Sequence, residues 1–187
     1  MGGAVASYIA AHFSDKIDAL IMIDALGPLS YEAIELAKHL EKSMQDFVTA
    51  EQRPAKNYDA FETMLELRAK VNGLDPQAVR ALVERAVIKT EAGYRWRFDP
   101  RLRLPSLSYL KEAQVLTMLN AIKAPTLVIQ ATAGILANTK LVNRRKKAIV
   151  DLTFERLPGG HHLHLSHPKA VAQVILTFLA SHITSRG

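Results

Sequence analysis

The sequence predicts an α/β fold, the second half of a doubly wound parallel sheet with a mainly helical insertion. Two observations carry this. Residues 17–23 and 125–130 are nearly continuous apolar runs of strand length, the pattern of strands covered on both faces. Between them, residues 30–122 read almost wholly as amphipathic helix. Residues 1–29 and 123–187 are therefore expected to form the sheet-bearing core, and residues 30–122 an inserted helical cap or lid.

The elements follow in order. Residues 4–13 place Val5, Tyr8, Ile9 and Phe13 at helical spacing, with small Ala6, Ala10 and Ala11 between them. The first strand, 17–23, is stopped by Asp24 and then by Gly27-Pro28. Three helical stripes fill the insertion. The first runs through Ile34, Ala37, Leu40, Met44, Phe47 and Val48, and the second through Phe61, Met64, Leu65 and Val71. The third opens on Asp75-Pro76, a cap followed by proline in the first turn, and continues through Val79, Leu82, Val83 and Val87. A short extended segment around Tyr94-Arg95-Trp96-Arg97-Phe98 precedes a helix over 110–122, entered after Ser108. The second strand at 125–130, a basic helix at 139–149, a third strand at 151–157 and an amphipathic helix at 170–183 complete the chain.

Composition narrows the function. The 187 residues contain no cysteine, which excludes disulfides, thiolate metal sites and a cysteine nucleophile. The formal charge of +6 is moderate, and part of it sits in Lys140, Arg144, Arg145, Lys146 and Lys147, a run that reads as a solvated helix face. The Tyr94-to-Phe98 stretch alternates like a strand and lacks an RNA-binding signature, so no nucleic-acid partner is expected. No apolar run is long enough to cross a membrane. The start lacks the positive region of a signal peptide, and Ala6 stands where myristoylation wants Ser or Thr. A cytoplasmic protein is the expectation.

Four histidines, His161, His162, His164 and His167, fall within seven residues of PGGHHLHLSHP. Imidazoles at this spacing can share a metal, but no Asp, Glu or Cys lies inside the cluster, and His167-Pro168 reads as a helix start. The histidines could also be plain surface and core residues. Alternatively, one is a general base on the loop after a strand, where loops hold reactive groups over a rigid sheet. No metal or other cofactor is expected.

The segment PGGHHLHLSHPKAVAQVILTFL resembles the C-terminal signature of the α/β-hydrolase superfamily. In that signature a Gly-His pair after the last strand supplies the catalytic histidine, which here implies Gly160-His161. The opening MGGAVASYIAAHF, followed by LIMID, is similar to the segment leaving the nucleophile elbow, G-x-S-x-G. Met1 and Gly2 match its last two positions, and Gly3 the small residue that often follows. The resemblance implies that the nucleophilic serine is expected just before Met1, and that the chain represents strands six to eight of a capped, serine-hydrolase-like parent. It also implies an oxyanion-hole N–H at Met1. Ser7 lies well inside the helix and does not replace the missing serine.

The acid departs from the usual pattern. Most members carry an aspartate after strand seven, often before a glycine, but Ala133-Gly134 stands there. Some members use an acid at the end of strand six, which here is Asp24; an aspartate there can also simply close the turn. The resemblance implies a parent that hydrolyses ester or acyl small molecules by a Ser-His-Asp mechanism. The chain by itself is expected to be inactive and to self-associate through an unpaired strand edge. The alternative is a non-catalytic, binding or degraded relative.

Overall fold

The computed structural model describes residues 1–30, 36–51, 56–106, 109–136 and 139–183. Ile34 of the first helical stripe and Ser108, expected before the fifth helix, lie outside the described residues. In chain order the helices are α1 (Gly2–His12), α2 (Leu36–Glu51), α3 (Phe61–Asn72), α4 (Pro76–Ala86), α5 (Glu112–Asn120), α6 (Thr139–Ala148), α7 (Leu163–Ser166) and α8 (Pro168–His182). The strands are β1 (Leu20–Ile23), β2 (Val87–Thr90), β3 (Gly93–Trp96), β4 (Thr126–Ala133) and β5 (Leu152–Gly160).

The chain divides into two compact units, Met1–Glu32 with Leu110–Gly187, and Ala33–Tyr109. The first holds a parallel sheet in the order β1-β4-β5. Its register sets Leu20 beside Thr126 and Ile23 beside Ile129, then Thr126 beside Leu152. β4 is central, and its first six residues are buried. Alternate side chains reach opposite layers, as the two-residue strand period requires. Met22 and Val128 join Ala10, Val115, Leu119, Val142 and Ile149 of α1, α5 and the α6 segment in one cluster. Leu127, Ile129 and Ala131 join Leu163, Val171 and Phe178 of α7 and α8 in the other. Helices on both faces explain why the strands read as continuous apolar runs rather than alternating ones.

Two glycines record how tightly the layers meet. A Cβ on Gly3 would collide with Cβ of Ala25, so only a residue without one lets α1 lie this close to the end of β1. The other, Gly134, belongs to the site below.

The second unit packs α3 and α4 around Met64, Leu65, Ala69, Val79 and Val83, all buried. Asp75 caps α4 by accepting the Gln77 N–H at 2.8 Å, with Pro76 in the first turn, as the sequence predicts. Val87 corrects the expected third stripe. The helix stops at Ala86, and the β-branched run Val87-Ile88-Lys89-Thr90 turns into a hairpin strand paired antiparallel with Gly93–Trp96. Cross-strand pairing with the predicted extended segment outweighs the helical spacing of one valine.

A second correction concerns the boundary of the insertion. α5 packs through Val115, Met118 and Leu119 into the sheet unit's core, so the insertion ends near Tyr109 rather than at residue 122. Among the described residues no helix is long and apolar enough to cross a membrane.

Candidate active site

The site begins where β1 ends. Asp24 still donates its backbone N–H to the Ile129 carbonyl at 2.7 Å, but its φ of 46° lies in the left-handed region. Aspartate tolerates that conformation better than branched or bulky residues do. The turn aims the side chain back across the top of β4, where it is fully buried. Its carboxylate accepts from the Ala131 N–H at 3.2 Å and the Ile135 N–H at 2.9 Å. Burying a carboxylate is costly unless donors surround it, and these two backbone groups supply part of that compensation.

The third donor comes from the end of β5. The last pairing of β4 with β5 sets Ala133 beside Gly160, past an irregularity between Ala131 and Ala133. His161 follows directly, and its Nδ1 lies 2.7 Å from Oδ2 of Asp24. A carboxylate accepts, so Nδ1 is the donor of this contact and Nε2 is left on the far side of the ring. The imidazole is 43% exposed while the aspartate is sealed beneath it. The result is a half-exposed imidazole whose Nδ1 is held by a buried carboxylate.

Gly134 completes the cradle. A Cβ there would fall on the Asp24 carboxylate, so the space beside Gly134 is filled by an acid arriving from β1. Gln130 secures the same turn, its side-chain N–H donating to the Leu136 carbonyl at 2.6 Å. Ala133 carries no carboxylate, and the histidine's partner comes instead from the end of β1, the strand paired beside β4.

Met1 is the N-cap of α1 and is exposed; its carbonyl accepts from Ala4 and Val5, and no described contact joins it to Asp24 or His161. Ser7 is buried, donating to the Gly3 carbonyl at 2.7 Å and lying 3.4 Å from the Met22 sulfur. No serine among the described residues hydrogen-bonds His161. The His162 ring stacks edge-on against His161 at 4.9 Å and the His164 ring against His162 at 5.8 Å. Burial, and then the nearby His161, push the His164 imidazole below its ordinary value. His167 opens α8, its Nδ1 2.9 Å from the Ser166 hydroxyl.

Sequence reasoning missed Arg145. It was grouped with a solvated basic face, yet only 4% of it is exposed. Its guanidinium binds both carboxylate oxygens of Glu112, at 3.0 and 2.6 Å. It also donates to the carbonyls of Leu26 and Pro28, both at 2.8 Å, and to the Ser30 hydroxyl at 3.1 Å. Burial alone would raise Glu112, but its bonds to Arg145 and Ser30 outweigh that and hold it below its usual range. The clamp thus fixes the loop that leaves Asp24. The signal was present in the spacing, because Val142, Arg145 and Ile149 share one helical stripe and both neighbours are apolar.

Solved structures share this arrangement of strands and helices. A hypothetical protein from Pseudomonas aeruginosa PAO1 superposes with a TM-score of 0.85 at 28% identity, over 96% of this chain and 64% of its own. A thioesterase domain from the curacin biosynthetic pathway does so at 0.74 and 22% identity, over 93% of this chain and 61% of its own. No protein-family model matches the chain. Fold and comparisons together make it a member of the α/β-hydrolase superfamily. Within that class it is similar to a serine hydrolase-like protein of Danio rerio, 28% identical over 96% of this chain and 58% of the relative. A serine hydrolase-like protein of Dictyostelium discoideum is 32% identical over 96% of this chain and 53% of the relative. The chain therefore spans little more than half the length of these relatives.

Proposed function

We propose that this chain carries the base and the acid of a serine hydrolase acting on ester or acyl substrates, with the nucleophilic serine supplied from outside these 187 residues. The observation that carries the reading is the 2.7 Å contact between His161 and buried Asp24. In this mechanism Nε2 of His161 takes the proton of the serine hydroxyl as it attacks the acyl carbon, and returns it to the leaving group. Asp24 holds the tautomer and stabilises the imidazolium. The backbone N–H of Met1, at the elbow position after the serine, is assigned to the oxyanion. His162 and His164 shape the turn.

The chain alone is expected to hydrolyse short p-nitrophenyl esters only at background rate, since loss of the nucleophile costs about 10⁶ in turnover. Joining it to the preceding segment of the Dictyostelium relative should restore hydrolysis. In that fusion His161→Ala should remove about 10⁶ of the rate and Asp24→Asn about 10⁴. A product burst from the isolated chain, abolished by a serine-directed phosphonate, would overturn the assignment of the nucleophile. Full activity in the His161→Ala fusion would overturn the assignment of the base.

A further inference from the structure

The Ala33–Tyr109 unit contains a concavity of about 550 Å³, inside the range of small-molecule sites. The aromatic residues Tyr58, Trp96 and Phe98 line it together with the cations Lys56, Arg95 and Arg103. The Trp96 and Phe98 rings lie 5.8 Å apart and tilted by 31°, a shallow apolar shelf. The Arg103 guanidinium sits 4.5 Å over the Phe98 ring, and the Lys56 ammonium 5.0 Å over that of Tyr58. A ring face beneath a guanidinium holds it in place while leaving its N–H edge free to donate.

The charge balance of the cavity points one way. Among the described residues no carboxylate pairs with Lys56, Arg95 or Arg103. The one acid in the lining, Asp46, is taken by Lys42 at 2.8 Å. Nearby Asp99 is likewise taken by Arg101, which through its hydrogen bonds lowers that carboxyl to about 2. Three cations with no carboxylate partner among the described residues, set around an aromatic shelf, leave the complementary role to a ligand.

We infer that this cavity binds a small aromatic anion, its ring on the Trp96–Phe98 shelf and its carboxylate or phosphate held by Arg103 and Lys56. The site lies within the helical unit, so it is independent of the His161–Asp24 reading.

Trp96 is the only tryptophan of the chain, so its indole N–H resonance reports on this cavity alone. Phenyl phosphate and phenylacetate, titrated into ¹⁵N-labelled full chain, are the probes; phenol and inorganic phosphate supply the ring and the charge separately. At least one anionic probe should shift the Trp96 resonance saturably, with a dissociation constant of order 1 mM for so small a ligand. A phosphate-selective or a carboxylate-selective response identifies the head group. Arg103→Gln and Lys56→Gln should each weaken binding about fivefold, the scale of one exposed charged contact. Arg103→Lys, which keeps the charge, should lose less, and His161→Ala should lose nothing. The spectra themselves show whether each variant is folded. No saturable shift, equal binding of phenol, equal binding of inorganic phosphate, or indifference to both Gln variants would each overturn the site.

Discussion

Asp24 can reach His161 because one residue flips into the left-handed region and one neighbour has no side chain. A Cβ on Gly134 would occupy the volume of the Asp24 carboxylate. Gly134→Ala is therefore expected to push the acid off its two backbone donors, at a cost of about 2 kcal/mol for overpacking a sealed site. Denaturant midpoints measure the loss. Asp24→Asn separates fold from tautomer, since an amide can both donate and accept. Imidazole ¹⁵N shifts should show the Nδ1–H form of His161 in the parent chain and a mixture in Asp24→Asn. Identical tautomer populations would mean the carboxylate does not orient the ring. At this scale the pattern of types was legible: a Gly-His after the last strand and an acid after LIMI. Gly134 was not, because the atoms that fill the place of its side chain come from Asp24, far away in the chain.

At the scale of elements, the loop leaving β1 is fastened by a helix that sequence reasoning assigned to solvent. Arg145 of α6 ties α5, through Glu112, to the carbonyls of Leu26 and Pro28. Arg145→Met leaves Glu112 and those carbonyls buried without their donor, and should cost about 3 kcal/mol. Arg145→Lys should rescue little, because one ammonium cannot reproduce five bonds from a planar fork. Chemical unfolding of the three proteins side by side measures this. The same pair sets a pH dependence. Glu112 is held below its ordinary 4.5 in the folded chain, so its contribution is complete above that value. As pH falls below 4.5 the unfolded chain takes up the proton first, and the contribution is lost as pH passes through the depressed folded value. Unfolding midpoints should drop across that window in the parent and drop less in Glu112→Gln. Equal slopes would remove Glu112 from the account. Charge runs hide such residues because composition counts all cations alike, whereas helical phase distinguishes Arg145 from Arg144 and Lys146.

For the whole molecule, the three strands of the parallel sheet and their order along the chain were readable from apolar runs. The limits of the insertion and the β2–β3 hairpin were not, because both depend on tertiary contacts: α5 with the sheet core, and Val87–Thr90 with Gly93–Trp96. The sheet also has an edge that its own geometry exposes. Leu20 and Asp24 donate their N–H groups toward β4, to Pro125 and Ile129. In a parallel strand the direction alternates, so the backbone groups of Ile21 and Ile23 face away from β4. Among the described residues no strand receives them, since β1 ends the order β1-β4-β5. A short apolar strand with free donors is a template for a second copy of itself. The weight-average mass in sedimentation equilibrium should therefore rise with concentration. Ile21→Pro removes one outward donor and no bond to β4, and proline is tolerated on an edge strand. It should suppress the association, at a cost of about 1–2 kcal/mol from the side chain lost to the second core cluster. Circular dichroism confirms that the variant is folded. A parent chain of constant monomer mass, or a folded Ile21→Pro that associates as strongly as the parent, would show that this edge is not the contact.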